Sequence, residues 1–281
     1  NPHTKPFPFW EWLIAALRAE HPDAIFLSEA FTRPEPMHRL AVVGFTQSYG
    51  YFPWRVSAHE LREEYTGLAA PPSVDRLRPS AWPTTPDILP WHLQGASREV
   101  FALRLVLAAT LSPSYGIYGP AFELCDNTPA GNGKEEYGAS EKYQLRWWDR
   151  SSPDSLRGLV GKVNGIRRDH LALRTLRTLR FHPTSNPSLL AYSKTAHLGP
   201  DVDPSRTSDN TVLCVVNLDG SSTQAGMIDL GVDALGVDPA RSFTAHDLLA
   251  GETYTWSGPD AYVSLDPAVG PAHILRISQE R

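Results

Sequence analysis

A change of pattern near residue 178 constrains the fold of this 281-residue chain more than any other feature. Before it, stretches with helical spacing alternate with short apolar runs, as βα units do. After it, strand-like runs follow one another between turn residues, as in a small β-sandwich. The expected architecture is therefore α/β over 1–178, followed by an all-β sandwich over 179–281.

Within the first portion, Phe9, Trp12, Leu13, Ala16 and Leu17 recur at helical spacing and predict an amphipathic helix over 8–20. Ala24-Ile25-Phe26-Leu27-Ser28 reads as a strand buried on both faces, and Ala41-Val42-Val43-Gly44-Phe45 as another. Helices are expected over 57–66, 96–110 and 154–174, with Leu156, Leu159, Val160, Val163 and Ile166 on one side of the last. A strand is presumed over 79–84 and a short one over 114–118. About four strands alternate with helices here, whereas a closed βα barrel needs eight. The portion is either an open α/β domain or the rear half of a barrel. In the second portion, strands are expected at 189–192, 211–216, 242–244, 253–256 and 272–277, with a long mobile loop over 196–210.

Composition excludes several classes. Net charge is -5 and the cations are not clustered, which argues against nucleic acid. No apolar run approaches the roughly 18 residues of a membrane span. The two cysteines, Cys125 and Cys214, have no metal-ligand spacing and predict neither a disulfide framework nor a metal site. There is no G-x-S-x-G elbow, no P-loop, no G-x-G-x-x-G and no H-E-x-x-H. The chain begins at Asn1-Pro2-His3 without an initiator Met, so the missing signal peptide carries no weight.

The residues that could do chemistry are carboxylates. Glu29 follows the apolar run 24–28, and barrels place catalytic groups at the C-terminal ends of their strands. Retaining glycoside chemistry uses one carboxylate as nucleophile and another as acid/base, roughly 5 Å apart. The apolar run and Ala30-Phe31 would desolvate Glu29, as an acid/base requires. The alternative for Glu29 is an ion pair with Arg33. Asp87, in Thr85-Pro86-Asp87-Ile88-Leu89, is either a second site carboxylate or the N-cap of a following helix. Lys142 and Tyr143 set a cation beside a phenol, able to grip a phosphate or to be a solvated Lys beside a packed Tyr. His3, in a polar segment before the first helix, reads as an ordinary loop histidine.

Taken in order, several segments resemble the maltosyltransferases that use maltose 1-phosphate, within the α-amylase clan. They are Asn1-Pro2-His3-Thr4-Lys5-Pro6, Phe26-Leu27-Ser28-Glu29-Ala30-Phe31-Thr32-Arg33-Pro34 and Gly44-Phe45-Thr46-Gln47-Ser48-Tyr49. Thr85-Pro86-Asp87-Ile88-Leu89, Gly116-Ile117-Tyr118-Gly119, Glu135-Glu136-Tyr137, Ser140-Glu141-Lys142-Tyr143 and Val215-Val216-Asn217-Leu218-Asp219 continue the series. The resemblance runs from residue 1 to about residue 276, and the Glu-Lys-Tyr element sets it apart from α-amylases at large.

The resemblance implies the C-terminal half of a TIM (β/α)8 barrel followed by the sandwich. It implies that Glu29 is the general acid/base, Asp87 the transition-state stabiliser, Asn1 a donor-binding residue, and Lys142 and Tyr143 the contacts to donor phosphate. The family's nucleophilic aspartate would sit immediately before Asn1, so the chain alone is expected to be inactive and to form no glycosyl-enzyme with a fluorinated donor. The implied donor is maltose 1-phosphate and the implied acceptor an α-1,4-glucan, with no cofactor and no metal. A bacterial, cytoplasmic enzyme, homodimeric at full length and making a glycogen-like polymer, completes the expectation. An α-glucan hydrolase or trehalose-forming isomerase of the same clan would share Glu29 and Asp87. A non-catalytic glucan-binding fragment would instead bind through aromatics of the sandwich.

Overall fold

The computed structural model describes residues 1–196 and 211–280. The loop expected over 196–210 lies, apart from Ala196, outside the described residues. The chain begins with a 3-10 turn, Pro2–Thr4, and then α1 (Phe7–Glu20), β1 (Leu27–Ser28), α2 (Pro34–Val42) and β2 (Gln47–Tyr49). A second 3-10 turn, Phe52–Trp54, leads to α3 (Ala58–Ala69), α4 (Ser73–Arg76) and β3 (Pro79–Ala81). After the 3-10 turn Trp91–Leu93 come α5 (Arg98–Leu111), β4 (Ser114–Tyr115), α6 (Gly119–Glu123) and α7 (Arg157–Asp169).

The four strands form one parallel sheet in chain order, β1-β2-β3-β4. A serine lies on each strand: Ser28 pairs with Ser48, and Ser80 with Ser114. Their hydroxyls bond across the strands, Ser28 to Ser48 at 2.7 Å and Ser80 to Ser114 at 3.4 Å. Small hydroxyl side chains that satisfy one another can occupy a sheet interior that larger polar groups could not.

Two expected strands read differently in the structure. Residues 41–45 are not a strand: Ala41 and Val42 end α2, which starts with Pro34 in its first turn after an extended Arg33. Gly44 ends the turn after α2 at φ +117°, and a Cβ there would lie 2.8 Å from Ile14 Cγ2. The β-branched pair Val42-Val43 suggested a strand, but Pro at the start and Gly at the end are helix punctuation, and they prevail. The run 24–28 is not buried on both faces. Only Leu27–Ser28 is strand, β1 is an edge of the sheet, and Ile25 is 66% exposed.

Helix α3 opens with a capping box, Ser57 Oγ accepting from the Glu60 backbone N–H and the Glu60 carboxylate accepting from Ser57 N–H. Helix α5 is buried on every side from Phe101 to Leu111. It therefore carries few polar positions to mark a surface face. Arg104 in its middle is fully buried, donating to Phe52 O at 2.5 Å and Arg55 O at 2.7 Å and lying 3.9 Å over the Phe52 ring. It ties α5 to the turn after β2. The last carbonyls of α5 also find side-chain donors: Lys194 Nζ donates to Leu111 O at 2.7 Å, and the Arg167 guanidinium donates to Ala109 O and Ser112 O. The positive guanidinium suits that end of a helix. The long helix expected over 154–174 is split into α7 and a 3-10 turn, Leu171–Arg174.

The second portion has β5 (Arg180–His182), β6 (Leu189–Thr195), β7 (Thr211–Asn217), β8 (Gln224–Asp229), α8 (Val232–Leu235), β9 (Phe243–Asp247), β10 (Thr253–Trp256), β11 (Asp260–Leu265) and β12 (Ala272–Ser278). Six strands form an antiparallel sheet, β10-β9-β12-β7-β6-β5, and β11 pairs with β8 in a ribbon. Successive residues of a strand point to opposite faces. Leu190, Tyr192, Val212, Cys214 and Ile274 pack in one core with α5 residues such as Val106 and Leu107. Leu189, Ala191, Leu213, Val215 and Leu275 pack in the other, with Ile228, Ala261 and Val263 of the ribbon. Burial on both faces is why β6 and β7 read as unbroken apolar runs.

Candidate active site

All four parallel strands end at one edge of their sheet, and Glu29 and Asp87 lie in segments that leave it. Glu29 follows β1 directly and is half-buried. No ion pair joins it to Arg33 among the described residues. Tyr49 is the last residue of β2. Burial, then the nearby Glu29 and Asp87 carboxylates, push the Tyr49 hydroxyl above its usual pKa. Tyr49 thus stands in the field of both candidate carboxylates and keeps its proton as a hydrogen-bond donor.

Asp87 caps no helix. It sits in a tight turn closed by Thr85 N–H to Ile88 O at 3.0 Å and Ile88 N–H to Thr85 O at 3.2 Å, with its own N–H donating to Thr85 Oγ1. The next helical turn, Trp91–Leu93, has Pro90 at its cap position. The Asp87 carboxylate is left free to face outward, and Lys142 Nζ meets it at 2.5 Å. That hydrogen bond holds Lys142 above its usual pKa. The Lys142 ammonium also lies 5.5 Å from the centre of the Tyr143 ring, which is 77% exposed.

Asn1 precedes the first 3-10 turn, and its carbonyl accepts from Thr4 N–H and Thr4 Oγ1. Trp10 Nε1 donates to Pro2 O at 2.8 Å and so fastens this segment to α1. Asn1 and Glu29 line an open hollow of about 920 Å³ whose other walls include Phe9, Trp10, Ile25, Leu27 and Phe45. This hollow is mainly apolar and lies along the β1 edge, so it meets the candidate chemistry only at Glu29 and Asn1. The structure thus groups the sequence candidates in two ways: Asp87 with Lys142 and Tyr143, and Glu29 with Asn1. Tyr49 links the two groups.

Three further residues belong to this edge and are not visible as site residues from sequence. Trp82, just after β3, stacks on Tyr49 with ring centres 5.2 Å apart and a 23° tilt, and its Nε1 donates to Ser80 Oγ at 3.1 Å. Gly116, just after β4, lies against the Trp82 indole so closely that a Cβ would fall 2.2 Å from Cζ2. Glu141 accepts from Tyr118 OH at 2.8 Å and from Trp148 Nε1 at 3.2 Å. The local signal was present in Gly116-Ile117-Tyr118 and Glu141-Lys142-Tyr143, but only tertiary contacts join them. Among the described residues, no three His, Cys, Asp or Glu side chains group as metal ligands, and no helix is long and apolar enough to cross a membrane.

Comparison with known proteins shows what the chain is similar to. A family model described as "GLGE, C-terminal" matches residues 181–277. The chain is 48% identical over 280 residues to an α-1,4-glucan:maltose-1-phosphate maltosyltransferase of Methylacidiphilum infernorum, covering 100% of this chain and 40% of that protein. It is 47% identical to α-1,4-glucan:maltose-1-phosphate maltosyltransferase 1 of Streptomyces coelicolor, covering 99% of this chain and 40% of that protein. The chain thus spans about two-fifths of the length of these relatives. Among solved structures, an Anoxybacillus α-amylase superposes with a TM-score of 0.68 at 13% identity, over 98% of this chain and 57% of that one. A maltogenic α-amylase of Thermotoga neapolitana gives 0.64 at 14% identity, over 98% and 59%. At such identities these two structures speak for the fold alone.

Proposed function

The chain belongs with the α-1,4-glucan:maltose-1-phosphate maltosyltransferases, to which it is homologous over its whole length, and on that premise we propose that the protein containing it moves maltosyl units from maltose 1-phosphate to the non-reducing end of an α-1,4-glucan. The observation that carries this reading is the Lys142–Asp87 pair at 2.5 Å. A cation suited to phosphate stands against a carboxylate suited to sugar hydroxyls. That arrangement suits a donor molecule that carries both sugar and phosphate.

The course proposed is a two-step retaining displacement. A carboxylate nucleophile attacks the sugar's anomeric carbon, the bond to the phosphate oxygen breaks, and Glu29 gives that oxygen its proton. In the second step Glu29 takes the proton of the acceptor hydroxyl, whose oxygen attacks the anomeric carbon and releases the carboxylate. By resemblance, the nucleophile is an aspartate directly before Asn1. Phosphate leaves with less acid help than an alcohol, so Glu29 matters most in the second step. Asp87 holds sugar hydroxyls more tightly as positive charge develops on the ring. Tyr49, protonated in the field of both carboxylates, is placed to donate to the sugar. Asn1 completes the donor site, and Lys142 and Tyr143 take the phosphate.

The same reading divides the chain into 1–178 and 179–281. The first portion is the C-terminal half of a (β/α)8 barrel. Four parallel strands in chain order, each joined to the next through helix, support this. A cytoplasmic, bacterial, homodimeric enzyme building a glycogen-like polymer is part of the same proposal, and the relatives' organisms speak for the bacterial part alone.

The test is donor selectivity, measured on this chain joined to an amino-terminal portion such as its relatives carry. Lys142→Ala should lower kcat/KM for maltose 1-phosphate by tenfold or more, an order-of-magnitude figure for a lost charge-assisted hydrogen bond. Turnover of maltosyl fluoride, which has no phosphate, should be spared. Equal loss on both donors would contradict the assignment of Lys142, and no turnover of maltose 1-phosphate by the unaltered protein would contradict the function.

A further inference from the structure

Lys142 and Tyr143 lie in a stretch without helix or strand, between α6 and α7. Something other than secondary structure must hold the ammonium at Asp87. Backbone bonds contribute only locally: Tyr143 N–H reaches Ser140 O at 3.1 Å, and Lys142 N–H reaches Ser140 Oγ at 3.2 Å. The stretch is fastened to the rest of the molecule by side chains on both sides of Lys142. Glu141 spends one carboxylate oxygen on Tyr118 OH, from the segment leaving β4, and the other on Trp148 Nε1, from the far side of the loop. Arg146 bonds Asp126 Oδ2 at 2.5 Å and Ala139 O at 3.1 Å, and its guanidinium lies 3.9 Å over the Trp148 ring. Trp148 is therefore gripped by Glu141 at its N–H and by Arg146 on its face. The loop is closed on itself and pinned to β4 through one carboxylate.

We propose that Glu141 is a positioning residue for donor recognition: by joining Tyr118 to Trp148 it fixes the loop that presents Lys142 to Asp87 and to the donor phosphate. The assignment rests on the reading of Lys142 as the phosphate contact. Hydrogen bonds from Tyr118 and Trp148 hold the Glu141 carboxyl below the usual carboxylate pKa, so it is ionised at neutral pH and accepts both bonds. An amide at this position can still accept from Trp148 Nε1 with its oxygen and donate to the Tyr118 oxygen with its NH2, but neither bond is then charge-assisted. Gln should therefore hold both ties more weakly and Ala neither.

Glu141→Ala should lower kcat/KM for maltose 1-phosphate about tenfold or more, the scale of one charge-assisted hydrogen bond. The loss should fall mainly on KM and leave maltosyl fluoride turnover within about twofold. Glu141→Gln should recover part of the loss, and Tyr118→Phe should cost nothing further in the Glu141→Ala background. A merely structural role predicts equal loss on both donors, no rescue by Gln and additive effects, and any of these overturns the proposal. If Lys142→Ala impairs phosphate-donor use and Glu141→Ala does not, the positioning role fails while the proposed function stands. If neither variant discriminates between the donors, the reading of Lys142 fails and takes the proposal with it.

Discussion

Gly116→Ala should destabilise the protein through one contact, and its size can be worked from the structure. The added Cβ would lie 2.2, 2.4 and 2.5 Å from Trp82 Cζ2, Cε2 and Cη2. Gly116 cannot retreat easily, because its N–H bonds Ala81 O at 3.0 Å and the preceding Tyr115 is in register with Ala81. The indole must move instead. It then loses the Ser80 hydrogen bond, worth about 0.5–1.5 kcal/mol net, and the Tyr49 stack, worth about 0.5–1.5 kcal/mol. The sum, about 1–3 kcal/mol, coincides with the usual cost of overpacking. Urea unfolding should show a lower midpoint at unchanged slope. Trp82→Leu removes the atoms that clash, so Gly116→Ala should cost little in that background. Additive costs in the double variant, or a Gly116→Ala protein as stable as its parent, would refute the reasoning. Donor turnover should fall as well, because Tyr49 loses the support that holds it beside Glu29 and Asp87.

Two further expectations concern α5. Arg104→Met leaves the Phe52 and Arg55 carbonyls without their donor and should cost about 2–5 kcal/mol in urea unfolding; Arg104→Lys should recover only part, because one ammonium cannot match the guanidinium fork. Burial lowers the Lys194 pKa from 10.5 to about 7. Between pH 7 and 10.5 the unfolded chain therefore holds a proton that the folded chain lacks, and this lysine makes stability rise with pH by up to ~1.4 kcal/mol per unit. Lys194→Met should flatten that slope in unfolding measured across the window, and an unchanged slope would show that Lys194 is not its source.

What was legible in the sequence was whatever short-range rules decide. Ser57 and Glu60 mark the start of α3 by a capping box, and the turn-separated runs after residue 178 mark the strands. The run 41–45 failed because apolar β-branched residues occur in buried helix ends as well as in strands, and Pro34 and Gly44 were the better evidence. The run 24–28 failed for another reason: apolar composition reports that a segment prefers to be covered, and Ile25 on the β1 edge is not. The carboxylates could be singled out because their residue type limits their chemistry. Tyr49, Trp82, Gly116 and Glu141 could not, since each acquires its role from a side chain at least 7 residues away in the chain.

The parallel topology explains why these distant residues share an edge. In a parallel sheet every strand delivers its C-terminal end to the same side, so sequence order becomes lateral order across the site. Glu29 leaves β1, Tyr49 ends β2, Trp82 and Asp87 leave β3, and Gly116 and Tyr118 leave β4. Lys142 comes from the next segment, yet it pairs with Asp87 of the preceding strand. The Tyr118–Glu141 tie anchors its loop beside β4, adjacent to β3 in the sheet. A loop anchored instead to the sandwich could keep the same Lys-Tyr pair and still leave Asp87 without a cation. The phosphate-directed cation therefore depends on the order of two neighbouring strands as much as on the presence of a lysine. This is why a substitution at Glu141, which itself has no place in the chemistry, should be read out as a change in donor preference.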